Sequence, residues 1–341
     1  MPVPIGSVEA LATTVNHFYP DLKSEFVRVF DLHKSEDTPS WINDLFQKIE
    51  VDGAYVNFQT WGSAPNPLPL ERGQYIHDAG FGEFTLTLYV HDYGTPRLTW
   101  HVNDIQDSRA PKGLKDRAQD SATRLANYME YVTPELLTGS ASTYLHPDFA
   151  FADIFGGTSG LFQSAHSYSG QTLDNDLSAT GTGVANFIDD LWTIRQTFRE
   201  MVDGVGRPYW DRERLAKAKW IIVVPPELER IANYVLKGEL LLQNGATAPS
   251  SNVTKTVFGD KVEVHVFELL TDADNWYCFL TSESADGMRP FVHGPRKGIG
   301  VKNWLMNRSD WSNATHKEGL QWWRRDVFGI GIPQCALRMA Q

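Results

Sequence analysis

The chain has 341 residues, a formal net charge of −11 at pH 7, and 42% hydrophobic and 12% aromatic residues. This composition excludes a disordered chain and leaves room for two or three domains. The acidic balance argues against a broad nucleic-acid-binding surface. No run approaches the ~20 apolar residues of a membrane span. The first residues lack the basic and apolar segments of a signal peptide, so the sequence predicts a soluble intracellular protein without a membrane partner.

Residues 1–50 are predicted to form an arm of short helices. Val8–Tyr19 is helical in character, residues 21–33 carry regularly spaced apolar side chains, and Trp41–Ile49 has the pattern of a short amphipathic helix. Short helices of this kind are marginal on their own, and each leaves an apolar face to be covered. The arm is therefore expected to pack on something outside itself.

Residues 51–108 change to a β pattern. Phe84–Val90 alternates between apolar and polar residues, residues 91–96 provide a turn, and Arg97–Val102 alternates back. This pattern predicts a long hairpin with these two segments as its strands. Because an isolated hairpin is marginally stable in water, we expect it to lie on another surface, such as a second subunit.

One long helix is predicted from about Pro111 to Leu136, where apolar residues follow each other at steps of three and four. Pro134 is expected to break or kink its last turn. The opposite face is expected to be a solvated charged face, formed by Lys115, Asp116, Asp120 and Arg124.

The stretch Lys219–Gly238 predicts a strand followed by a helix. Trp220–Val224 is a continuous apolar run typical of a strand covered on both faces. Pro225–Pro226 ends the strand, and Pro226 suits the first position of a helix. The turn has no glycine, and it places acidic residues where a bound anion would sit at the helix N-terminus. The unit is therefore not a phosphate-binding turn.

The remaining predicted elements are a helix and several strands. Val184–Val202 has a helical apolar face, and strands are predicted at Lys261–Leu270, Trp276–Thr281 and Arg289–His293, before a β-like C-terminal region. The chain has two cysteines, Cys278 and Cys335, which lie in apolar runs and are predicted to be buried free thiols.

Motifs for catalysis and cofactor binding are incomplete. Gly157–Leu161 lacks the second glycine of a nucleophile elbow. The glycine pairs at 204 and 206 and at 298 and 300 lack the third glycine of a dinucleotide-binding loop. Strand spacing would not place His101, Asp104 and Asp107 on one face to hold a metal. No cofactor-binding or metal-binding residue is therefore assigned.

Ser164, His166 and Asp174 offer the nearest approach to a hydrolase triad. A hydrogen-bonding role within a glycine- and serine-rich loop is the favoured interpretation, so no catalytic residue is assigned. The basic segments Arg207–Lys219 and Arg324–Arg325 are interleaved with acids and aromatics. They are interpreted as solvated faces or interface residues rather than nucleic-acid readers.

The order of these elements resembles that of a known family. An arm, an extended hairpin, a long helix, a loop-rich middle, a strand–helix unit and a β-rich tail follow each other from about residue 40 to the end. Four segments carry the resemblance: Leu161–His166, Val224–Glu229, Asp274–Tyr277 and Trp323–Gly331. In this order they resemble the major capsid proteins of tailed bacteriophages, particularly the Mu-type head subunit. Gln163, inserted between Phe162 and Ser164, departs from the family pattern.

This resemblance implies an α+β fold, the Johnson fold shared by phage capsids, herpesvirus floors and encapsulins. Its parts would be an N-terminal arm at 1–50, an E-loop hairpin at 51–108, a peripheral domain with a spine helix at 109–145, an axial domain at 146–285, and peripheral return strands at 286–341.

The implied function is that of a structural protein, not an enzyme, with no cofactor. Copies would assemble as hexamers and pentamers into an icosahedral head that encloses double-stranded DNA without reading its sequence. Scaffold, portal and decoration proteins are the further implied partners. The implied location is the virion, with synthesis in the host bacterial cytoplasm. Two alternatives remain: an encapsulin-like nanocompartment shell, and a cytosolic hydrolase that uses Ser164 and His166.

Overall fold

The computed structural model describes a set of fourteen ranges: residues 21–31, 39–61, 83–101, 111–140, 143–154, 157–168, 171–202, 207–238, 240–241, 250–258, 262–282, 289–296, 302–306 and 317–341. The predicted helix Val8–Tyr19 lies outside these ranges. Among the described helices, none is long and apolar enough to cross a membrane.

The helices within the described ranges are α1 (21–31), α2 (Ser40–Leu45), α3 (Pro111–Ala126), α4 (Tyr128–Thr138), α5 (Val184–Glu200), α6 (Arg212–Lys217), α7 (Glu229–Lys237) and α8 (Val253–Phe258). Two 3₁₀ turns occupy Pro226–Leu228 and Pro333–Cys335.

The strands are β1 (Phe46–Lys48), β2 (Tyr55–Trp61), β3 (Glu83–Tyr89), β4 (His91–Gly94), β5 (Leu98–His101), β6 (His166–Tyr168), β7 (Gln171–Leu173), β8 (Asp176–Ser178), β9 (Lys219–Val224), β10 (Leu240–Leu241), β11 (Ser250–Ser251), β12 (Val262–Val266), β13 (Trp276–Thr281), β14 (Phe291–Pro295), β15 (Lys302–Met306), β16 (Lys317–Ile330) and β17 (Ala336–Ala340).

A five-stranded sheet with the order β12-β9-β13-β17-β8 forms one half of the molecule. Strand β9 runs parallel to β12 and antiparallel to β13. Trp220, Ile222 and Val224 pack into one apolar cluster with α5 and α7, whereas Ile221 and Val223 pack into another on the opposite side. The prediction of a strand covered on both faces is therefore confirmed, because the alternating side chains of β9 enter two cores.

The second sheet is built around β16, a strand of 14 residues. On one side, β16 pairs with β14 through Asp326–Ile330 and with β15 through Gly319–Trp323. On the other side it pairs with β4 and β5. Strand β1 extends this sheet by pairing in parallel with β14. Phe291, Phe328 and Ile330 of this sheet share a core with Tyr277 and Phe279 of the five-stranded sheet, so the two sheets are packed together.

The predicted pairing of the hairpin is wrong. Strand β3 pairs with β2, with Tyr89 opposite Tyr55 and Glu83 opposite Trp61, while the segment from Arg97 contributes β5 to the β16 sheet. Leu98 and Trp100 bury their side chains with Leu320 and Trp322 of β16 and with α1 and α3. Alternation specifies the faces of a strand but not its neighbour, and here burial selects β16.

The predicted helix Trp41–Ile49 is too long. The helix ends at Leu45, and Phe46–Lys48 continues as β1 against β14. The Phe46 ring packs 5.3 Å from the ring of Phe291, which places this side chain in the shared core of the two sheets. One apolar residue followed by two polar ones fits the spacing of a helix as well as that of a strand. The sequence alone therefore could not locate the change from helix to strand after Leu45.

The long predicted helix is interrupted at Asn127, and Pro134 is accommodated inside α4. The two resulting helices, α3 and α4, bury their apolar faces in different clusters. Leu114, Ala118 and Ala122 of α3 pack with α1, whereas Met129 and Val132 of α4 pack beneath the shared core. The interruption at Asn127 lets α3 and α4 each bury an apolar face against its own partners.

The described part of the N-terminal arm packs on its own chain. Leu22, Phe26 and Val29 of α1 are buried, and the Phe26 ring stacks on Trp322 with the ring centroids 4.1 Å apart. The expectation that the arm needs a surface outside itself is met here by α3 and the β16 sheet rather than by another subunit.

The remaining predictions lie close to the observed elements. Strand Trp276–Thr281 and most of helix Val184–Val202 are confirmed, the strand predicted at Lys261–Leu270 spans Val262–Val266, and the strand predicted at Arg289–His293 spans Phe291–Pro295. Both cysteines are free and buried, as predicted. Burial raises the pKa of both thiols, that of Cys335 to about 12, so neither is a reactive thiolate near neutral pH.

Candidate assembly surfaces

The β2–β3 hairpin has a buried face and an exposed face. Phe58 and Leu88 are buried against Val292 and Val327 of the β16 sheet. The contact is close: a Cβ at position 329 would lie only 2.6 Å from the Leu88 Cδ2 atom, so a larger residue than Gly329 would displace the buried Leu88 side chain. The hairpin is thus seated on its own subunit through one face.

The other face of the hairpin points to solvent and carries a tyrosine pair. Tyr55 and Tyr89 are directly opposite in the antiparallel register, and 59% and 58% of their surfaces are exposed. Next to them on the same face, Thr87 Oγ1 donates a hydrogen bond to Asn57 Oδ1 at 3.0 Å. Paired exposed aromatics on a strand surface are residues that protein interfaces favour.

Other large apolar side chains are exposed across the described surface. They are Val27, Tyr144, Trp192, Tyr234 and Leu269. Val27, Trp192 and Tyr234 lie on α1, α5 and α7, whereas Tyr144 and Leu269 line one groove of about 200 Å³ between α4 and the loop after β12.

The predicted triad is not assembled. His166 is buried, its Nδ1 atom lies 2.7 Å from Asp153 Oδ2, and its Nε2 atom lies 3.0 Å from the Leu161 carbonyl oxygen and 3.1 Å from Asn175 Oδ1. Both ring nitrogens are therefore engaged by groups other than Ser164, which is exposed. The arrangement is a buried hydrogen-bond network that fixes the loop, as the favoured interpretation held.

This network also explains the glycine of the incomplete nucleophile elbow. The Gly157 N–H donates to Asp153 Oδ1 at 3.0 Å, and a Cβ at this position would lie 2.3 Å from Asp153 Oδ2. Gly157 is thus needed for the turn around Asp153. Sequence reasoning missed Asp153 because it lies 13 residues before His166, outside any recognised motif.

A second buried charged cluster lies in the β14–β16 pair. The guanidinium of Arg324 contacts the carboxylate of Asp326, and Arg324 Nη2 lies 3.5 Å from His293 Nε2. Burial opposes ionisation of Asp326, but His293 and Arg324 still hold its pKa below the ordinary value. Of the two roles interpreted for its segment, a solvated face or an interface, the solvated face does not apply to Arg324, because its guanidinium reaches the Leu125 carbonyl oxygen and His293. Arg325 pairs with Asp92 Oδ1 at 2.6 Å.

The other candidate positions do not form a site among the described residues. His101 is on β5, whereas Asp104 and Asp107 lie outside the described ranges, as do the glycines at 204, 206, 298 and 300. No group of three or more metal-ligating side chains occurs in the described ranges. In the segment Arg207–Lys219, Lys219 pairs with Asp44 at 2.7 Å and with Glu263 at 2.9 Å.

The strand–helix unit has the turn that the sequence indicates. A 3₁₀ turn at Pro226–Leu228 leads from β9 into α7, with Glu227 in the 3₁₀ turn and Glu229 in the first turn of α7. Two carboxylates at the positive end of a helix occupy the place that an anion would take. The burial of β9 between β12 and β13 makes the unit part of the core of the five-stranded sheet.

No protein-family model and no curated protein matches the sequence. Among solved structures, the chain is similar to the capsid of a native GTA particle, with a TM-score of 0.52 and 11% identity over 90% of this chain and 94% of that chain. The capsid protein of the cyanophage P-SCSP1u has a TM-score of 0.49 and 10% identity, covering 87% of this chain and 86% of that chain. A virus-like particle from Pyrococcus furiosus has a TM-score of 0.46 and 9% identity, covering 94% and 98%.

The likeness to the GTA particle capsid covers nearly the whole of both chains. At this identity it is a likeness of fold, and it shows the α+β capsid fold that the sequence resemblance implies.

Proposed function

We propose that this chain is the major capsid protein of a tailed-phage-type head, a structural subunit whose copies build a closed shell. The observation that carries this proposal is the capsid fold, shared over 90% of the chain with the GTA particle capsid. The domain assignment remains part of the proposal: arm 1–50, E-loop 51–108, peripheral domain 109–145 with 286–341, and axial domain 146–285.

The surface of the subunit supports self-assembly. The hairpin is seated on its own chain through Phe58 and Leu88, which leaves the Tyr55–Tyr89 face free to contact a neighbour. Contacts between different patches of identical subunits close into rings, which is how hexamers and pentamers would arise.

The proposed shell encloses double-stranded DNA without reading its sequence. A net charge of −11 supports containment rather than tight binding, since an inner surface rich in unpaired cations would hold the duplex through its phosphates. The partners in this proposal are further copies of the chain, with scaffold, portal and decoration proteins, and the location is the virion after synthesis in the host cytoplasm. Catalysis has no part in it.

Electron microscopy and light scattering of the purified protein test the proposal. We expect uniform closed particles, hexamers and pentamers in their surface lattice, and a mass far above that of the 38.4 kDa chain. A stable monomer or dimer across salt, pH and protein concentration would contradict the proposed function.

A further inference from the structure

A cleft of about 510 Å³ opens beside the C-terminal half of α5, next to α6. Its apolar lining includes Trp210, Trp220 and Phe258, and its polar lining is cationic. The cationic residues are Arg195, Arg199 and Arg212. We call this feature the arginine cleft. Aromatic side chains surrounded by guanidinium groups suit a ligand that combines an apolar side chain with carboxylates.

The arginines of the cleft have no acidic partner among the described residues. The guanidinium of Arg195 lies 5.4 Å from the ring centroid of Trp192 and 5.7 Å from that of Phe258. Burial, and then the nearby charge of Arg199, lower the pKa of Arg195, as expected for a cation without a counter-charge.

The acids nearest in sequence are engaged elsewhere. Asp211 accepts a hydrogen bond from the backbone N–H of Arg214 at 2.7 Å, Glu200 accepts one from Gln196, and Glu213 pairs with Lys217 at 2.6 Å. Three arginines and no acidic side chain of the described ranges line the cleft, in a chain that is acidic as a whole.

A patch of opposite character lies on α4 and the loop after β12. Glu268 and Leu269 are exposed in this loop, Leu269 by 37%, and Asp274 is exposed further along it. Burial, and then the charge of Glu268, raise the pKa of Glu130 on α4, so these two carboxylates repel each other. Neither is in an ion pair within the described part of the chain. We call Glu130, Glu268 and Leu269 the acidic patch.

The cleft and the patch lie toward opposite ends of the five-stranded sheet. Phe258 of the cleft precedes β12 in the chain, and Glu268 of the patch follows it. In the parallel β9–β12 pair, Trp220 is level with Val262 and Val224 is level with Val266. At ~3.3 Å per residue, the five residues of β12 separate the two features by about 15 Å or more. The two features of one chain therefore do not meet each other.

We propose that the arginine cleft of one copy receives the acidic patch of a second copy. Leu269 would enter toward Trp220 and Phe258, while Glu130 and Glu268 face the arginines. A second copy is the favoured occupant because the complementary charge and an exposed apolar side chain occur together on this same chain. A contact between different patches is head-to-tail and can close into a ring. This contact rests on the proposed self-assembly and identifies residues that would carry it.

Charge reversal tests the contact. One variant carries Arg195→Glu and Arg199→Glu, and a second carries Glu130→Arg and Glu268→Arg. We expect each to slow shell formation by about tenfold or more in light scattering, because like charges then face each other. A chain with all four substitutions restores opposite charges and should recover assembly. Arg124→Glu is the matched control, since Arg124 is exposed and pairs only with Asp120 among the described residues.

The two reversal variants also provide a test that needs no shell. Mixed one to one, each offers a surface that complements the other, so sedimentation should show association that neither variant shows alone. Circular dichroism establishes that each variant is folded. If wild-type chains form no shell but the mixture associates, the proposed function fails and the contact stands.

Two results would overturn the contact. In the first, wild-type chains assemble and both reversals assemble at the same rate. In the second, reversal of the cleft blocks assembly while reversal of the patch has no effect and the fourfold variant is not rescued. The second result would assign the cleft to an acidic ligand other than a copy of this chain, such as a separate acidic protein or DNA.

Discussion

His166 and His293 are buried histidines that each face an aspartate, but their surroundings differ. The Nε2 atom of His166 faces the Leu161 carbonyl and the Asn175 amide oxygen, so this nitrogen must carry a proton. The Nε2 atom of His293 instead lies between a guanidinium and a carboxylate, 3.5 Å from Arg324 Nη2 and 3.8 Å from Asp326 Oδ1. The first histidine serves as a donor to a loop, and the second lies in a buried charged cluster within a sheet.

Replacing His166 by alanine should destabilise the folded subunit by about 3 kcal/mol or more, because each buried acceptor left without its hydrogen bond costs about 1–3 kcal/mol. Asp153 would lose the 2.7 Å contact with the imidazole, and the Leu161 and Asn175 oxygens would lose a donor. Chemical denaturation of the unassembled chain measures this loss.

Ser164→Ala is the matched control for that experiment, because Ser164 is exposed in the same segment. It should change the free energy of unfolding by no more than ~0.5 kcal/mol. Equal losses for the two variants would mean that the network does not stabilise the loop. An ester- or peptide-hydrolysing activity that Ser164→Ala abolishes would instead revive the hydrolase alternative.

The free energy of unfolding should fall as pH drops from 7.5 to 5.5. Burial lowers the pKa of His293, and Asp326 offsets only part of that effect. In the unfolded chain the imidazole has a pKa of about 6.5. Below that pH the unfolded chain binds a proton that the folded chain does not, so acid favours unfolding. Burial also lowers the pKa of His265 and His91, so they act in the same direction.

His293→Asn removes one of these groups. The slope of the unfolding free energy against pH should become shallower, by at most the contribution of one bound proton. Urea denaturation at a series of pH values provides that slope. An unchanged slope in the variant would show that His293 is as easily protonated in the folded chain as in the unfolded one.

At the scale of elements, the local pattern of apolar residues was sufficient to predict a helix or strand wherever the element is buried either on one face or on all sides. Trp220–Val224 and Trp276–Thr281 are continuous apolar runs, and the structure places both in the centre of a sheet with cores on each side. Helix Val184–Glu200 has one apolar face and one core to meet. In these segments, the element predicted from the spacing of apolar residues is the one whose buried positions match that spacing in the fold.

The local sequence pattern was insufficient where a distant part of the folded chain decides which strand a segment pairs with or where a helix ends. Strand β5 alternates as a hairpin strand would, yet it pairs with β16, more than 200 residues away in the chain. The helix break at Asn127 depends on two separate cores, which no local pattern records. Of the candidate site, the sequence predicted a loop role for His166 but could not supply Asp153 or Asn175, since their proximity arises only in the folded chain.

The tyrosine pair of the hairpin should matter for assembly and not for folding. Tyr55→Thr with Tyr89→Thr keeps residues that favour strands and removes two exposed rings. The free energy of unfolding should change by less than ~1 kcal/mol. Particle yield at fixed protein concentration should fall by about tenfold or more, since exposed tyrosines are common interface hot spots.

Gln59→Thr is the control for this pair, because Gln59 lies on the same exposed face. Sucrose-gradient sedimentation compares particle yield across the variants. If the double tyrosine variant loses free energy of unfolding as well as particle yield, the tyrosines stabilise the hairpin itself. Normal yield in a stably folded variant would remove this face from the assembly surfaces.

At the scale of the whole molecule, two electrostatic effects oppose each other. Every copy carries a net charge of −11, so copies repel at long range. The arginine cleft and the acidic patch attract at short range. Salt screens both, but the screening length is ~30 Å at 0.01 M, ~8 Å at 0.15 M and ~3 Å at 1 M. Moderate salt therefore weakens the long-range repulsion before it weakens a contact between adjacent charges.

The initial rate of shell formation should consequently pass through a maximum near physiological ionic strength. Stopped-flow light scattering across a salt series measures this rate. The variant with reversed Arg195 and Arg199 should lose the maximum and speed up steadily with salt, because only repulsion is left to screen. A steady rise for the wild-type chain as well would mean that apolar contacts alone drive assembly, and that the charge pattern of the cleft is not used between copies.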